Sequence, residues 1–214
     1  VISIDALVYD LDGTLIDSQL DLAISVNAAL ADAGRAPKPV ELIATTIGDG
    51  ARAMLERAFE EASPAILERA LQVFRAHYRD HCLDHTQLYP GVRTTLEHFR
   101  AKGQAVVSNK PDDFTRLIVA GLGLGPLIPV VMGGSPERAL KPDPAPIAAA
   151  LAALGVVPGR AVMVGDGLPD LEAGRRAGTR TCAATYGLGT RAVLARGKPD
   201  HWIEEFAALQ QLFG

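Results

Sequence analysis

"ALVYDLDGTLIDS", residues 6–18, decides how the chain begins. Four apolar residues, Ala6 to Tyr9, run without a polar break, as they do in a strand buried on both faces. Two aspartates follow, Asp10 and Asp12, and then Gly13 and Thr14. Residues i and i+2 of an extended chain point the same way. Like charges held side by side raise the cost of ionising each other. Such a pair at a strand's end needs compensating positive charge from elsewhere in the chain.

Short apolar runs recur at residues 105–107, 128–132, 161–164 and 181–184. Turn residues and then helical spacing follow them. Phe114, Leu117, Ile118 and Val119 follow the second run. Ile147, Ala150, Leu151 and Leu154 follow the third and stop at Gly155. Leu171, Ala173, Gly174 and Ala177 follow the fourth and stop at Gly178. Apolar strands alternating with helices predict an α/β fold, a doubly wound parallel-sheet (Rossmann-like) core.

The interval after the first run is too long for one crossover helix. Ser18 is placed to cap a helix carrying Leu22, Val26, Ala29, Leu30 and Ala33, ended by Gly34. Pro39 starts a second helical segment, and residues 50–62 make a third, with Leu55, Ala58 and Phe59 on one face. Pro64 opens a fourth, with Leu67, Leu71, Phe74 and Tyr78. "YPGV", residues 89–92, reads as the turn back to the sheet. The expected organisation is a core of residues 1–16 and 87–214 with an all-helical cap of residues 17–86 inserted into it.

A length of 214 residues accommodates one core and a modest insert. The net charge of −4 provides no broad basic field, which argues against nucleic acid as a partner. Two distant cysteines, Cys82 and Cys182, give no disulfide framework and fit a reducing compartment. No basic leader and no apolar run long enough to span a bilayer is visible. The expectation is a cytoplasmic protein, monomer or homodimer, with no membrane partner.

In open parallel sheets, ligands bind at the carboxyl ends of the strands. Asp10, Asp12 and Thr14 follow the first strand. Ser108, Asn109 and Lys110 follow the second, and Lys141 stands in "LKPDPAP" (140–146) after the third. Asp166 and Asp170 stand in "VGDGLPD" (164–170) after the fourth. Four carboxylates in one cleft require cations, and carboxylates with room for water suit Mg²⁺. Only Lys38, Lys102, Lys110, Lys141 and Lys198 are lysines among 21 basic residues, and two of them fall in these loops. A phosphate monoester, a small phosphorylated metabolite, fits between metal and lysine, with Ser108 and Asn109 donating to its oxygens. One carboxylate can attack phosphorus and form an aspartyl-phosphate. A second can protonate the leaving oxygen and then deprotonate water. Asp170 also suits the first turn of a helix, while Thr14 and Asn109 also suit turns.

Gly48, Gly50 and Arg52 offer a second anion site, with Arg52 placed to grip the carboxylate of a leaving group. A turn with a surface arginine is the other reading. His77, His81 and His85, with Cys82, have a spacing that could bind a transition metal. They read instead as a solvated helix face, because His85 falls past the helix end.

These residues resemble the haloacid dehalogenase superfamily of phosphohydrolases, in order and over nearly the whole chain. "DLDGT" (10–14) is similar to its first motif, Ser108 to the second, Lys141 to the third and "GDGLPD" (165–170) to the fourth. The resemblance implies Asp10 as nucleophile and Asp12 as general acid/base. It implies Mg²⁺ held by Asp10, the backbone carbonyl of Asp12 and Asp166, with Asp170 close by, and a helical cap after the first motif. Within the superfamily the chain is most similar to the phosphoglycolate phosphatases. "TIGDGARAMLERAF" (46–59), "SNKP" (108–111) and "TYGLG" (185–189) carry that similarity. Gly167 departs from it, since such sequences usually carry Ser or Thr there. The implied reaction converts 2-phosphoglycolate to glycolate and phosphate. A phosphatase for another small sugar phosphate and a non-catalytic regulator on this scaffold are the alternatives.

Overall fold

In the computed structural model, which describes residues 1–48 and 50–214, the first apolar run is strand β1 (Ala6–Tyr9), fully buried. After it come β2 (Ile16–Asp17), α1 (Gln19–Asp32), α2 (Val40–Ala44), α3 (Ala51–Phe59), α4 (Pro64–His81) and β3 (Gln87–Leu88). Then follow α5 (Val92–His98), β4 (Gly103–Pro111), α6 (Asp112–Gly121), β5 (Val130–Gly134) and α7 (Ala145–Leu154). The chain ends with β6 (Ala161–Gly165), α8 (Leu168–Ala177), β7 (Arg180–Ala184), α9 (Arg191–Arg196), β8 (His201–Ile203) and α10 (Leu209–Leu212).

Six strands form a parallel sheet in the order β5-β4-β1-β6-β7-β8. After β1 the chain builds outward through β4 and β5. It then returns to the other side of β1 for β6, β7 and β8. The strand order therefore reverses at β1, and such a switch point leaves a crevice at the carboxyl ends of the strands. Val8 stands between Ala105 and Met163 in register. The residues after Tyr9 thus emerge between the ends of β4 and β6.

Ala6, Val8, Ala105, Val107, Ala161 and Met163 turn one face of the sheet to Ile147, Ala150 and Leu151 of α7 and Ala173 of α8. On alternate positions, Leu7 and Tyr9 are also fully buried. The Tyr9 hydroxyl donates to Gln104 Oε1 at 3.0 Å, which satisfies the one polar atom of that ring. Gly155 and Gly178, with φ of 68° and 82°, end α7 and α8 in the left-handed conformation.

The chain divides into two compact units, Val1–Ile16 with Leu88–Gly214, and Asp17–Gln87. The crossings fall on β2 and β3, which make a small sheet of their own. In the helical unit, Leu22, Val26 and Ala29 of α1 and Leu55, Ala58 and Phe59 of α3 are buried, and Phe74 stacks on Tyr78 at 5.4 Å. Asp21 is buried too. Its carboxylate accepts hydrogen bonds from His85 N (3.1 and 3.0 Å), Thr86 N (2.7 Å) and Thr86 Oγ1 (2.8 Å), tying the chain after α4 to α1.

Three local expectations change. The Ser18 side chain makes no cap bond to α1, and Asp17 Oδ1 instead accepts from Gln19 N at 3.2 Å. "YPGV" runs straight into α5, whose Val92 and Leu96 are buried. A sixth strand, β8, pairs beside β7. Among the described residues no helix is long and apolar enough to cross a membrane.

Candidate active site

Three strands meet at the switch point, and each delivers polar groups as it ends. Asp10 follows β1, and its N–H donates to Val164 O at 3.0 Å, extending the ladder by one residue. Ser108, Asn109 and Lys110 lie at the end of β4, and Asp166 follows β6.

Lys141 enters from the loop between β5 and α7 and is buried. Its Nζ lies 2.7 Å from Asp10 Oδ1, 2.6 Å from Asp170 Oδ1 and 2.7 Å from Val107 O. An ammonium has three protons to donate, and these acceptors use all three. Burial pulls the lysine toward neutrality, but Asp10 and Asp170 outweigh it and hold its pKa above the ordinary value. Lys141 is therefore a fixed positive charge.

Asn109 fixes the main chain at Lys141. Its Oδ1 accepts from Lys141 N at 2.8 Å, and its Nδ2 donates to Lys141 O at 3.0 Å. The sequence reading gave this amide to a substrate, whereas both its oxygen and its nitrogen engage Lys141. Lys110 holds Asp12, with Nζ 3.0 and 3.1 Å from the two carboxylate oxygens. The two neighbouring aspartates thus meet two different buried ammonium groups. Ser108 Oγ accepts from Lys110 N at 3.3 Å, a bond that does not use the hydroxyl proton.

Asp166 is held from several sides. Thr14 Oγ1 donates to its Oδ1 at 2.8 Å, and Leu188 N donates to its Oδ2 at 2.8 Å. Tyr186 OH donates to Thr14 O at 2.8 Å and secures the turn that carries Thr14. Gly13 sits at φ +84°, and a Cβ there or on Gly187 would strike Asp166. Asp170 Oδ2 accepts from Gly167 N at 2.9 Å at the start of α8. Asp170 thus stands in the first turn of α8 with its other oxygen 2.6 Å from Lys141 Nζ.

Asp10, Asp166 and Asp170 each place an oxygen within 4.8 Å of the others, and among the described residues no other three such side chains converge. The Asp12 carboxylate is not one of them. Burial first, then the charge of Asp170, pushes Asp10 up to about 6 against the pull of Lys141. Burial first, then Asp10 and Asp170, pushes Asp166 up to about 8 against its bonds from Thr14 and Leu188. A cluster of oxygen donors that resists ionisation by itself is suited to a hard divalent cation.

Arg52 belongs to the helical unit, where its guanidinium pairs with Glu68 of α4. Lys110 carried no assignment in the sequence reading. Tyr186 and Leu188 were visible only inside "TYGLG", a similarity without a stated role.

Residues 4–178 match the family model described as haloacid dehalogenase-like hydrolase. The phosphoglycolate phosphatase of Haemophilus influenzae is 35% identical over 211 residues, which is 94% of this chain and 94% of that protein. That of Aquifex aeolicus is 37% identical over 183 residues, 85% of this chain and 84% of its own length. A crystal structure described as a predicted phosphoglycolate phosphatase from Haemophilus somnus 129PT has a TM-score of 0.91 at 30% identity. It covers 98% of this chain and 97% of its own.

Proposed function

The chain belongs to the haloacid dehalogenase-like hydrolases, and from that membership we propose that it hydrolyses 2-phosphoglycolate to glycolate and inorganic phosphate. It is a phosphoric monoester hydrolase.

Asp10 is the nucleophile. Lys141 holds its Oδ1, and the carboxylate attacks phosphorus as the ester P–O bond breaks. Asp12, positioned by Lys110, takes up a proton from water as the substrate binds and gives it to the leaving glycolate oxygen. It then takes a proton from the water that cleaves the aspartyl-phosphate, which releases phosphate and restores Asp10. Ser108 donates its hydroxyl proton to a phosphoryl oxygen. Asn109 acts through Lys141 by fixing its main chain, and Thr14, Tyr186 and Leu188 act through Asp166. Both Asn109 and Thr14 are thus proposed as positioning residues.

The carboxylate set of Asp10, Asp166 and Asp170, joined by the backbone carbonyl of Asp12, fits Mg²⁺ in donor chemistry. Bound there, Mg²⁺ would neutralise charge on the carboxylates and on the phosphoryl oxygens. Arg52 is the residue proposed to read the carboxylate of the substrate. It already binds a carboxylate, that of Glu68, and the helical unit that carries it is proposed as the cap.

The observation that carries this reading is the pair of buried lysines, one on each of the two adjacent aspartates, beside the carboxylate cluster. Phosphate release from 2-phosphoglycolate and a panel of sugar phosphates, with Mg²⁺ and with EDTA, tests it. Fastest release from 2-phosphoglycolate, lost with EDTA and in Asp10→Asn, is expected. A sugar phosphate turned over faster would replace the substrate. Release that persists in Asp10→Asn would overturn the assignment of the nucleophile.

A further inference from the structure

The histidines of α4 lie in the helical unit and take no part in the chemistry above. His77 and His81 are one helical turn apart, on one face. Their ring centroids are 4.4 Å apart, and the rings are tilted by 31°. Spacing of this kind is common on solvated helices and by itself decides nothing. The hydrogen bonds around the two rings decide more.

Ser25 Oγ donates to Asp21 O at 2.8 Å. A hydroxyl has one proton, so Ser25 can only accept at its second contact, His77 Nδ1 at 3.0 Å. His77 must therefore carry its proton on Nδ1. His81 Nδ1 lies 2.8 Å from Asp84 Oδ2, and an ionised carboxylate only accepts. His81 must also carry a proton on Nδ1. In the neutral form of each ring the lone pair then falls on Nε2. A ligating histidine has this arrangement, with one nitrogen for the metal and the other donating to a protein oxygen that fixes the ring.

We propose that His77 and His81 bind a late first-row divalent metal ion through their Nε2 atoms, with Zn²⁺, Ni²⁺ and Cu²⁺ as the ions taken. His81 is about half exposed, 48% of its side chain, so an ion can reach its ring from solvent. Burial, and then the neighbouring His81, lower the pKa of His77 and favour the neutral ligand form. Among the described residues no third His, Cys, Asp or Glu converges with the two rings. The protein thus supplies two ligands and water supplies the rest. Imidazole suits these ions, whose affinities follow the Irving–Williams order. Mg²⁺ prefers oxygen, so this site and the carboxylate cluster select different metals.

Titration calorimetry with NiCl₂ on the Mg²⁺-saturated protein tests the proposal. The wild type is expected to bind one Ni²⁺ that both His77→Ala and His81→Ala fail to bind. Asp84→Asn keeps both ligands but loses the carboxylate behind one ring, and is expected to bind about 10-fold more weakly. Mg²⁺-dependent phosphate release from each variant checks that it is folded. His81 is exposed, so its alanine variant keeps the test valid even if His77→Ala folds poorly. A nickel isotherm unchanged in His81→Ala would overturn the site, as would one lost in His81→Ala but retained in a folded His77→Ala.

Discussion

Lys110 Nζ reaches both oxygens of Asp12 while Lys141 Nζ reaches one oxygen of Asp10. The difference has a kinetic consequence. A carboxylate gripped by both oxygens is held in one rotamer, and a general acid must be in place at the moment the leaving oxygen takes charge. Lys110→Met keeps the volume and removes the grip. Steady-state kinetics should show kcat lower by about 100-fold, with KM changed far less. An unchanged kcat would mean that Lys110 does not act through Asp12. Thr14→Val should act through the cation instead. It removes one of the bonds that orient Asp166, and loss of such a partner typically costs about 10- to 100-fold in metal affinity. The Mg²⁺ concentration for half-maximal phosphate release should rise by that factor while kcat at saturating Mg²⁺ stays near wild type. A fall in kcat at saturation, with no change in Mg²⁺ demand, would place Thr14 on the substrate. Residues at the strand ends could be read as candidates because their charge or polarity restricts the chemistry open to them. Which partner each side chain meets could not be read, for Lys110 as for Thr14, because those partners are remote in the chain. Thr14 meets Asp166 152 residues along the chain, and Tyr186 meets Thr14 172 residues back.

Elements became legible in proportion to how strongly their own residues dictate them. β1 reads as a buried strand because it is central and apolar throughout, and α7 and α8 end where a left-handed glycine ends them. β8 has only three residues and sits at the sheet's edge, so its ladder to β7 defines it more than its composition does. α5 was hidden because the turn signal "YPG" overlaps its start. Asp21 was hidden for a different reason. An acid in the first turn of α1 reads as an ordinary complement to the helix dipole, yet it accepts from two backbone amides and a hydroxyl of the chain returning after α4. Burial works against its ionisation, but those bonds win and its pKa is lowered. Hydrogen bonds to a charged group are worth about 1.5–3 kcal/mol each, and orphaned amides add cost. Asp21→Ala should therefore destabilise the protein by about 3 kcal/mol in urea unfolding. Because the folded pKa is depressed, this contribution is present above the ordinary aspartate value of about 4 and is lost as pH falls below it. Wild type and Asp21→Ala should converge in stability at low pH. A constant difference between them down to acid would assign the effect to packing and not to charge.

The cation proposed for the carboxylate cluster would tie the stability of the whole molecule to its binding. Asp10 and Asp166 are pushed up to about 6 and about 8, chiefly by burial, so at these two sites the native metal-free state binds more protons than the unfolded chain. The sign follows from linkage. Where the native state holds the extra protons, stability falls as pH rises from the ordinary carboxylate value of about 4 through the raised folded values. A cation that binds the ionised cluster removes this loss, and it does so more strongly as the protons leave. Lys141 does not blur the effect, since its raised pKa keeps it charged throughout this window. His77 titrates in the helical unit with a lowered pKa, and its contribution is the same with and without Mg²⁺, so it cancels in the difference. The measurement is thermal unfolding in Mg²⁺ and in EDTA across this window. The gain in Tm from Mg²⁺ should grow with pH and level off above about 8, the value to which Asp166 is raised. Asp10→Asn removes one buried charge and should be more stable than wild type in EDTA at the alkaline end, while giving a smaller gain from Mg²⁺. A gain from Mg²⁺ that is flat with pH would mean that these carboxylates are already ionised without a cation. Lys141 would then be compensating the whole cluster by itself.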